Sequence, residues 1–251
     1  MDLEEFFAGH PKAALAFSGG ADSAYLLCAA LKCGADVQPY YVKSQFQPQF
    51  EYEDAARLCR ELGVEMTVLK LDILADESIT ANPESRCYFC KKRIMAAIRA
   101  AAGRDGYELI IDGTNASDSG RDRPGMRALR EGGILSPLCI CGLSKGEIRA
   151  LSKEAGLFTH DKPAYACLAT RIPAGERISA GKLEAIEKSE DFLFSMGFTD
   201  FRVRLREGGA LLQFTAEQMP RAAERFDEIE RGLLPYFTKI KIDSTAREKS
   251  K

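Results

Sequence analysis

Ala13-Ala14-Leu15-Ala16-Phe17-Ser18-Gly19-Gly20-Ala21-Asp22-Ser23 is the stretch that decides the fold. Its first five residues are an apolar run, and a helix-like pattern over residues 24–32 follows the serine–glycine turn at once. A buried strand that feeds a tight glycine turn and opens a helix is an anion-binding arrangement. Glycines let the backbone approach the anion, and the first helical turn supplies unpartnered N–H groups and a partial positive charge. Ser18 and Ser23 add hydroxyl donors beside Gly19 and Gly20. Asp22 does not bind phosphate itself but suits a Mg²⁺ ion or a helix cap. The loop has no lysine, so it is not a Walker A sequence, and it lacks the Gly-x-Gly-x-x-Gly spacing of dinucleotide folds. Turn chemistry alone allows one alternative, a strand–turn–helix with capping serines and no ligand.

Outward from that loop, β-like runs alternate with amphipathic helices. Residues 37–43, 64–71 and 108–112 read as strands, and 52–62, 91–102 and 143–155 as helices. Ser144 opens the last of these, with Glu147 three residues on, a capping box. This alternation predicts an α/β fold with a doubly wound parallel sheet covered on both faces, and a ligand site beyond the carboxyl ends of its strands. Gly113, Thr114 and Asn115 also follow a strand and reach the same rim. Residues 156–178 lack periodicity and carry Pro163, Pro173 and Gly175. Beyond them come a helix over 181–196, a strand over 201–206, a Gly208-Gly209 turn, a strand over 211–214, a helix over 217–232 and a strand over 238–243. The expected organisation is a nucleotide domain over 1–160, a linker over 161–178, and a smaller α+β domain over 179–251 that binds substrate.

The charge is nearly balanced, 35 basic against 37 acidic residues, so no general affinity for nucleic acid is expected. No apolar run approaches the ~18 residues that span a bilayer. The start, Met1-Asp2-Leu3-Glu4-Glu5, is acidic and unlike a signal peptide. A cytoplasmic chain without a membrane partner is the expectation. Eight cysteines in such a chain suggest metal or reactive thiols before disulfides.

Cys87-Tyr88-Phe89-Cys90 is a CxxC between Arg86 and Lys91-Lys92-Arg93, at a predicted helix start that suits thiolate ligands. Cys167 stands alone between Pro163 and Pro173. A CxxC alone fits a redox pair, half a zinc site, part of a cluster, or no function. Three cysteines can hold three irons of a [4Fe–4S] cluster and leave the fourth open to sulfide. Cys28, Cys33 and Cys59 lie on helical patterns and read as core or helix-surface residues. Cys139 and Cys141 would share a face if they lay on a strand.

Ser18-Gly19-Gly20-Ala21-Asp22-Ser23 after an N-terminal strand resembles the PP-loop of the ATP pyrophosphatase superfamily. The ordered series that follows is similar to the LarE family within it. The carrying segments are Arg86 through Lys92, Gly113 through Asp118, Arg123 through Ala128, Ser136-Pro137-Leu138, Asp161 through Pro173, Gly197-Phe198 and Arg202-Val203-Arg204. The chain departs from the family in having one acidic residue, Asp118, after Gly-Thr-Asn, in Arg123 where an aromatic is usual, and in its end, Asp243-Ser244-Thr245-Ala246.

The resemblance implies an ATP-dependent sulfur transferase that forms AMP and pyrophosphate. Its substrate is pyridinium-3,5-biscarboxylic acid mononucleotide, on the way to the nickel-pincer nucleotide cofactor of lactate racemase. ATP and Mg²⁺ would be held by Ser18, Gly19, Gly20, Asp22, Ser23, Gly113, Thr114 and Asn115. Cys167 would be the sulfur donor. The resemblance admits a sacrificial cysteine, but Cys87, Cys90 and Cys167 together match the branch that binds a [4Fe–4S] cluster and draws on a sulfide source. Asp22 and Glu190 join Cys167 as catalytic residues. Arg171, Arg202 and Arg204 match the substrate site, and Arg202 and Arg204, two apart on a strand, share a face that suits a phosphate. Lys162 reads either as a site cation or as a surface lysine. A homo-oligomer is implied as well. The rivals are a PP-loop tRNA thiolase, an amide-forming relative of GMP synthetase, and a non-enzymatic nucleotide sensor.

Overall fold

The computed structural model describes residues 1–118 and 124–249. They group into two compact units, residues 1–73 with 85–162, and residues 74–84 with 163–251.

The first unit is built on β1 (Lys12–Phe17), β2 (Asp36–Lys43), β3 (Thr67–Lys70) and β4 (Ile110–Asp112). All their pairings are parallel, in the order β3-β2-β1-β4. Alternation along β1 sends Ala13, Leu15 and Phe17 to one face and Ala14 and Ala16 to the other. The first face packs on α1 (Leu3–Gly9), α2 (Ala21–Lys32), α3 (Gln49–Glu61) and α8 (Lys145–Glu154) through Phe6, Leu26, Leu58 and Ile148. The second face packs on α5 (Arg86–Arg104) and α6 (Pro124–Glu131) through Met95, Ile98 and Leu129. Both faces are therefore covered, as a parallel sheet requires. The short α7 (Pro137–Ile140) completes the unit.

The second unit contains α4 (Glu77–Thr80) and the long α9 (Ala180–Ser195). Its sheet has the order β5-β6-β7, from β5 (Arg202–Arg206), β6 (Gly209–Gln213) and β7 (Ile240–Ile242). β5 and β6 are antiparallel, and β7 joins β6 in parallel. The hairpin between β5 and β6 turns on Glu207 and Gly208, both in the left-handed region. The single helix expected over 217–232 is two, α10 (Met219–Glu224) and α11 (Phe226–Leu233). The chain breaks at Arg225, whose guanidinium leaves the helix line to bond the Met196 carbonyl at 3.1 Å. Asn82 is buried, and its amide donates to the carbonyls of Pro173 and Glu176 at 2.7 and 3.1 Å, fastening residues 74–84 into this unit.

α8 carries the expected capping box, with Ser144 and Glu147 each bonding the other's backbone N–H. Among the described residues no helix is long and apolar enough to cross a membrane.

Candidate functional site

In the first unit, β1 ends at Phe17 and α2 begins at Ala21, so Ser18-Gly19-Gly20 makes the whole turn. Gly19 has φ +72°, where a side chain is strained, and a Cβ there would lie 2.7 Å from the Ala55 Cβ of α3. Both demands point to glycine. Gly20 is the N-cap of α2 and no side chain caps that helix, which leaves its first N–H groups for a ligand. Ser23 is buried, and its hydroxyl lies 3.0 Å from that of Ser18 and donates to the Gly20 carbonyl at 3.1 Å. The two serines brace the turn from inside.

The second rim segment meets the first directly. A Cβ on Gly113 would lie 2.8 Å from Ser23 N and 3.0 Å from Ser23 Cα. Glycine here lets two backbones touch. Between them opens a cavity of about 180 Å³, lined by Ser18, Gly20, Asp22, Ser23, Gly113 and Thr114, and also by Lys91 and Asp112. Buried Asp112 accepts bonds from Thr114 N (3.2 Å), Thr114 Oγ1 (2.7 Å) and Ser136 Oγ (2.7 Å), so it shapes the Gly113–Thr114 turn. Neither Lys91 nor Asp112 was expected as a site residue. Lys91 is four residues beyond Cys87 on α5 and shares its face. That relation becomes visible only once α5 is known to start at Arg86, five residues before the expected helix.

Asp22 Oδ1 is buried and has no hydrogen-bond partner among the described residues. Burial raises the Asp22 carboxyl above its ordinary range, and Asp118 adds to this. Lys145, the Asn115 side chain and Arg149 oppose the rise without cancelling it. Buried Asn115 also accepts a bond from Ser117 N at 2.9 Å, which orders the short turn to Asp118. A buried carboxylate oxygen without a donor, near a second acid, is suited to a hard cation. Arg123 lies outside the described residues.

Cys87 and Cys90 both fall in the first turns of α5, Cys87 exposed and Cys90 partly so. Buried Arg86 directs its guanidinium to Cys87 Sγ at 3.7 Å. All eight cysteines are free thiols. Among the described residues no group of three His, Cys, Asp or Glu side chains is gathered as for a metal ion. Cys87 and Cys90 belong to the first unit and Cys167 to the second. Cys28 and Cys59 are buried in helices, and Cys33 caps α2. Cys139 lies in α7 with Cys141 at its end, not on a strand, so a spacing of two puts them on different faces.

In the second unit, Cys167 precedes a 3₁₀ turn, Leu168–Arg171, and is partly exposed. Arg171 is 1% exposed. Its guanidinium grips Glu190 through Nε at 2.9 Å and Nη2 at 3.2 Å, while Nη1 reaches the carbonyls of Ala166 (2.8 Å) and Cys167 (3.4 Å). Burial is the largest single influence and would lower the Arg171 pKa, but Glu190, Tyr165 and Cys167 together outweigh it and the net shift is upward. Val203 N (3.0 Å) and the Tyr165 hydroxyl complete the donors around Glu190. The Tyr165 ring lies 4.4 Å from the Arg171 guanidinium and 5.1 Å from that of Arg202. Burial first, and then the Glu190 carboxylate, drive the Tyr165 hydroxyl pKa up. It stays protonated and donates.

Arg202 and Arg204 alternate with the buried Val203 and Leu205, so both lie on one face of β5. Arg202 donates to the carbonyls of Phe201 (2.5 Å) and Ala164 (2.6 Å), and Arg204 to Gln213 Oε1 (2.5 Å) and the Thr170 carbonyl (3.0 Å). Burial, then Arg171 and Arg247, lower Arg202 to about 10. Lys162 is not a surface lysine. It ends the first unit in ion pairs with Glu51 (2.9 Å) and Asp54 (2.7 Å) of α3.

Comparisons with known proteins fit this geometry. The family profile of queuosine biosynthesis protein QueC matches residues 12–89, which span the phosphate loop and α5's first turn. An uncharacterized protein of Synechocystis sp. is 35% identical over 87% of this chain and 82% of its own. The pyridinium-3,5-bisthiocarboxylic acid mononucleotide synthase of Lactiplantibacillus plantarum is 31% identical over 79% of this chain and 73% of its own. An uncharacterized protein of Methanocaldococcus jannaschii is 28% identical over 96% and 92%.

Proposed function

The chain belongs to the LarE family of PP-loop sulfur transferases, and on that footing we propose that it uses ATP to adenylate and then thiolate a carboxylate of pyridinium-3,5-biscarboxylic acid mononucleotide. The product would feed nickel-pincer nucleotide synthesis. The observation that carries the reading is the cavity between Ser18–Ser23 and Gly113–Thr114, open to the start of α2 and supplied with one lysine.

A carboxylate is a poor electrophile because its leaving group would be oxide. Adenylation makes AMP the leaving group and removes most of the negative charge. The uncapped N–H groups of α2 and the Ser18 hydroxyl would bind the departing pyrophosphate, and Lys91 would neutralise part of its charge. Asp22 and Asp118 would hold Mg²⁺, which supplies charge compensation as pyrophosphate leaves. The unpartnered Asp22 oxygen is what makes the residues fit that ion. Asp112 already accepts three hydrogen bonds and would serve to hold the Thr114 turn in place.

By the family resemblance Cys87, Cys90 and Cys167 would be the donor set of a [4Fe–4S] cluster; none of them is buried or in a disulfide. Such a cluster supplies a site for the sulfide to be transferred. Arg202 and Arg204 would bind the substrate phosphate. Glu190 would act as a positioning residue, because its carboxylate already accepts four hydrogen bonds, two from Arg171 and one each from Tyr165 and Val203.

The test is product analysis with ATP, Mg²⁺ and the biscarboxylate nucleotide. AMP and pyrophosphate are expected, and ADP with phosphate would overturn the assignment. Mass spectrometry of the anaerobic enzyme after several turnovers with sulfide should find the chain intact. A loss of about 34 Da at Cys167, the departure of H₂S to leave dehydroalanine, would refute the cluster route.

A further inference from the structure

Three arginines of the second unit converge on one short loop. Arg202 holds the carbonyl of Ala164, Arg171 those of Ala166 and Cys167, and Arg204 that of Thr170. Four carbonyls within seven residues, centred on Cys167, are thus bonded to guanidinium groups. The three arginines are not alike. Arg171 is locked in a buried pair with Glu190, so it is a fixed pivot. Arg204 is half-buried, and both of its bonds end on neutral oxygens. Arg202 lies 3.8 Å from Asp200, a carboxylate that Arg247 also engages. Burial and the neighbouring guanidiniums lower both Arg202 and Arg204, the mark of cationic charge short of anions.

We propose that Arg202 and Arg204 serve two ligands in turn: with no substrate they clamp the Cys167 loop through its carbonyls, and a phosphate monoester takes those donors and frees the loop. The inference rests on the reading that this pair binds the substrate's phosphate. A phosphate adds its own negative charge and bidentate geometry to bonds from a guanidinium, which a neutral carbonyl cannot, so the exchange runs toward the anion. Arg171 keeps its hold on Ala166 and Cys167, so the loop loosens at its ends and stays anchored at its centre. Cys167 would then be restrained until the nucleotide arrives, which limits delivery to other acceptors of the sulfide it would help to hold.

The test is hydrogen–deuterium exchange of the intact protein, read on the peptide that covers residues 163–172, with inorganic phosphate as the probe and potassium chloride at matched ionic strength as the control. Phosphate should speed exchange of this peptide about ten- to a hundredfold, the worth of one hydrogen bond to a charged donor. Chloride should not. Arg204→Ala should exchange at the faster rate without phosphate and no longer respond to it, and Arg204→Lys should fall between. Unchanged or slower exchange of the wild-type peptide with phosphate would overturn the proposal, as would an Arg204→Ala chain with wild-type protection. If phosphate frees the loop yet the enzyme thiolates no biscarboxylate nucleotide, the exchange stands and the assigned substrate falls.

Discussion

Gly19→Ala tests whether the phosphate loop is set by its approach to α3. Two penalties can be read from the structure. The first is conformational, since φ is +72° and a non-glycine residue there costs about 1–2 kcal/mol. The second is steric, because the new Cβ would lie 2.7 Å from Ala55 Cβ and 3.1 Å from Ala55 Cα. Carbon pairs prefer about 3.5–4.0 Å, so the loop must retreat by roughly 0.8 Å or more. Overpacking of this kind costs about 1–3 kcal/mol. A displacement near 1 Å at a reacting group can cost about 10²-fold, so ATP-dependent pyrophosphate release should fall by about 10- to 100-fold. Ala55→Gly removes the nearer contact and alone costs about 1 kcal/mol in the helix. The double variant should recover about tenfold of the loss in ATP affinity by calorimetry, with the conformational penalty remaining. Strict additivity of the two changes would refute the steric argument.

Gly113→Ala should lower ATP affinity by about tenfold or more, because its Cβ would strike Ser23 backbone that cannot rotate away, and a titration with wild-type affinity would contradict this. Asp22→Asn should raise the melting temperature while abolishing turnover. The buried carboxyl is raised above its unfolded value, so its ionised form works against folding at neutral pH and the amide removes that charge; a lower melting temperature would oppose this reading. Glu190→Gln should destabilise the second unit by about 3–5 kcal/mol by leaving the Arg171 charge buried and unpaired, and wild-type stability on denaturation would contradict this.

Much of the first unit was legible because its signals are local. β1 is continuously apolar, the Ser144–Glu147 box marks α8, and the glycine turn allows few conformations. α5 was read too short because Cys87-Tyr88-Phe89-Cys90 carries no helical periodicity of its own. Its first turns are fixed by tertiary partners, among them Tyr88 bonding Glu131 of α6 at 2.5 Å. Cys139 and Cys141 show no period for a related reason, since Pro137 starts a one-turn helix too short to carry one. Residues 74–84 give no sequence sign of the unit they join, which Asn82 decides through contacts about 90 positions away. The site residues Ser18, Gly19 and Gly113 could be named from the turn. Lys91, Asp112 and Tyr165 could not, because each owes its place to a neighbour distant in sequence.

The two halves of the chemistry are held by different kinds of force. At the phosphate loop the decisive contacts join backbone to close-packed neighbours, Gly19 against Ala55 and Gly113 against Ser23. Steric contacts of that kind have no alternative partner, so a ligand finds the loop already formed and adds bonds without breaking any. The Cys167 loop is held at both ends by hydrogen bonds from long side chains to neutral carbonyls. Those bonds are exchangeable, because a better acceptor can take the same donors. Preorganisation suits the site where charge must be stabilised as pyrophosphate leaves. Exchangeable restraint suits a loop whose cysteine would help present a reactive sulfide only when its acceptor is present. The contrast predicts that nucleotide binding slows amide exchange at residues 20–23, whose uncapped N–H groups it bonds, while a phosphate speeds exchange around Cys167.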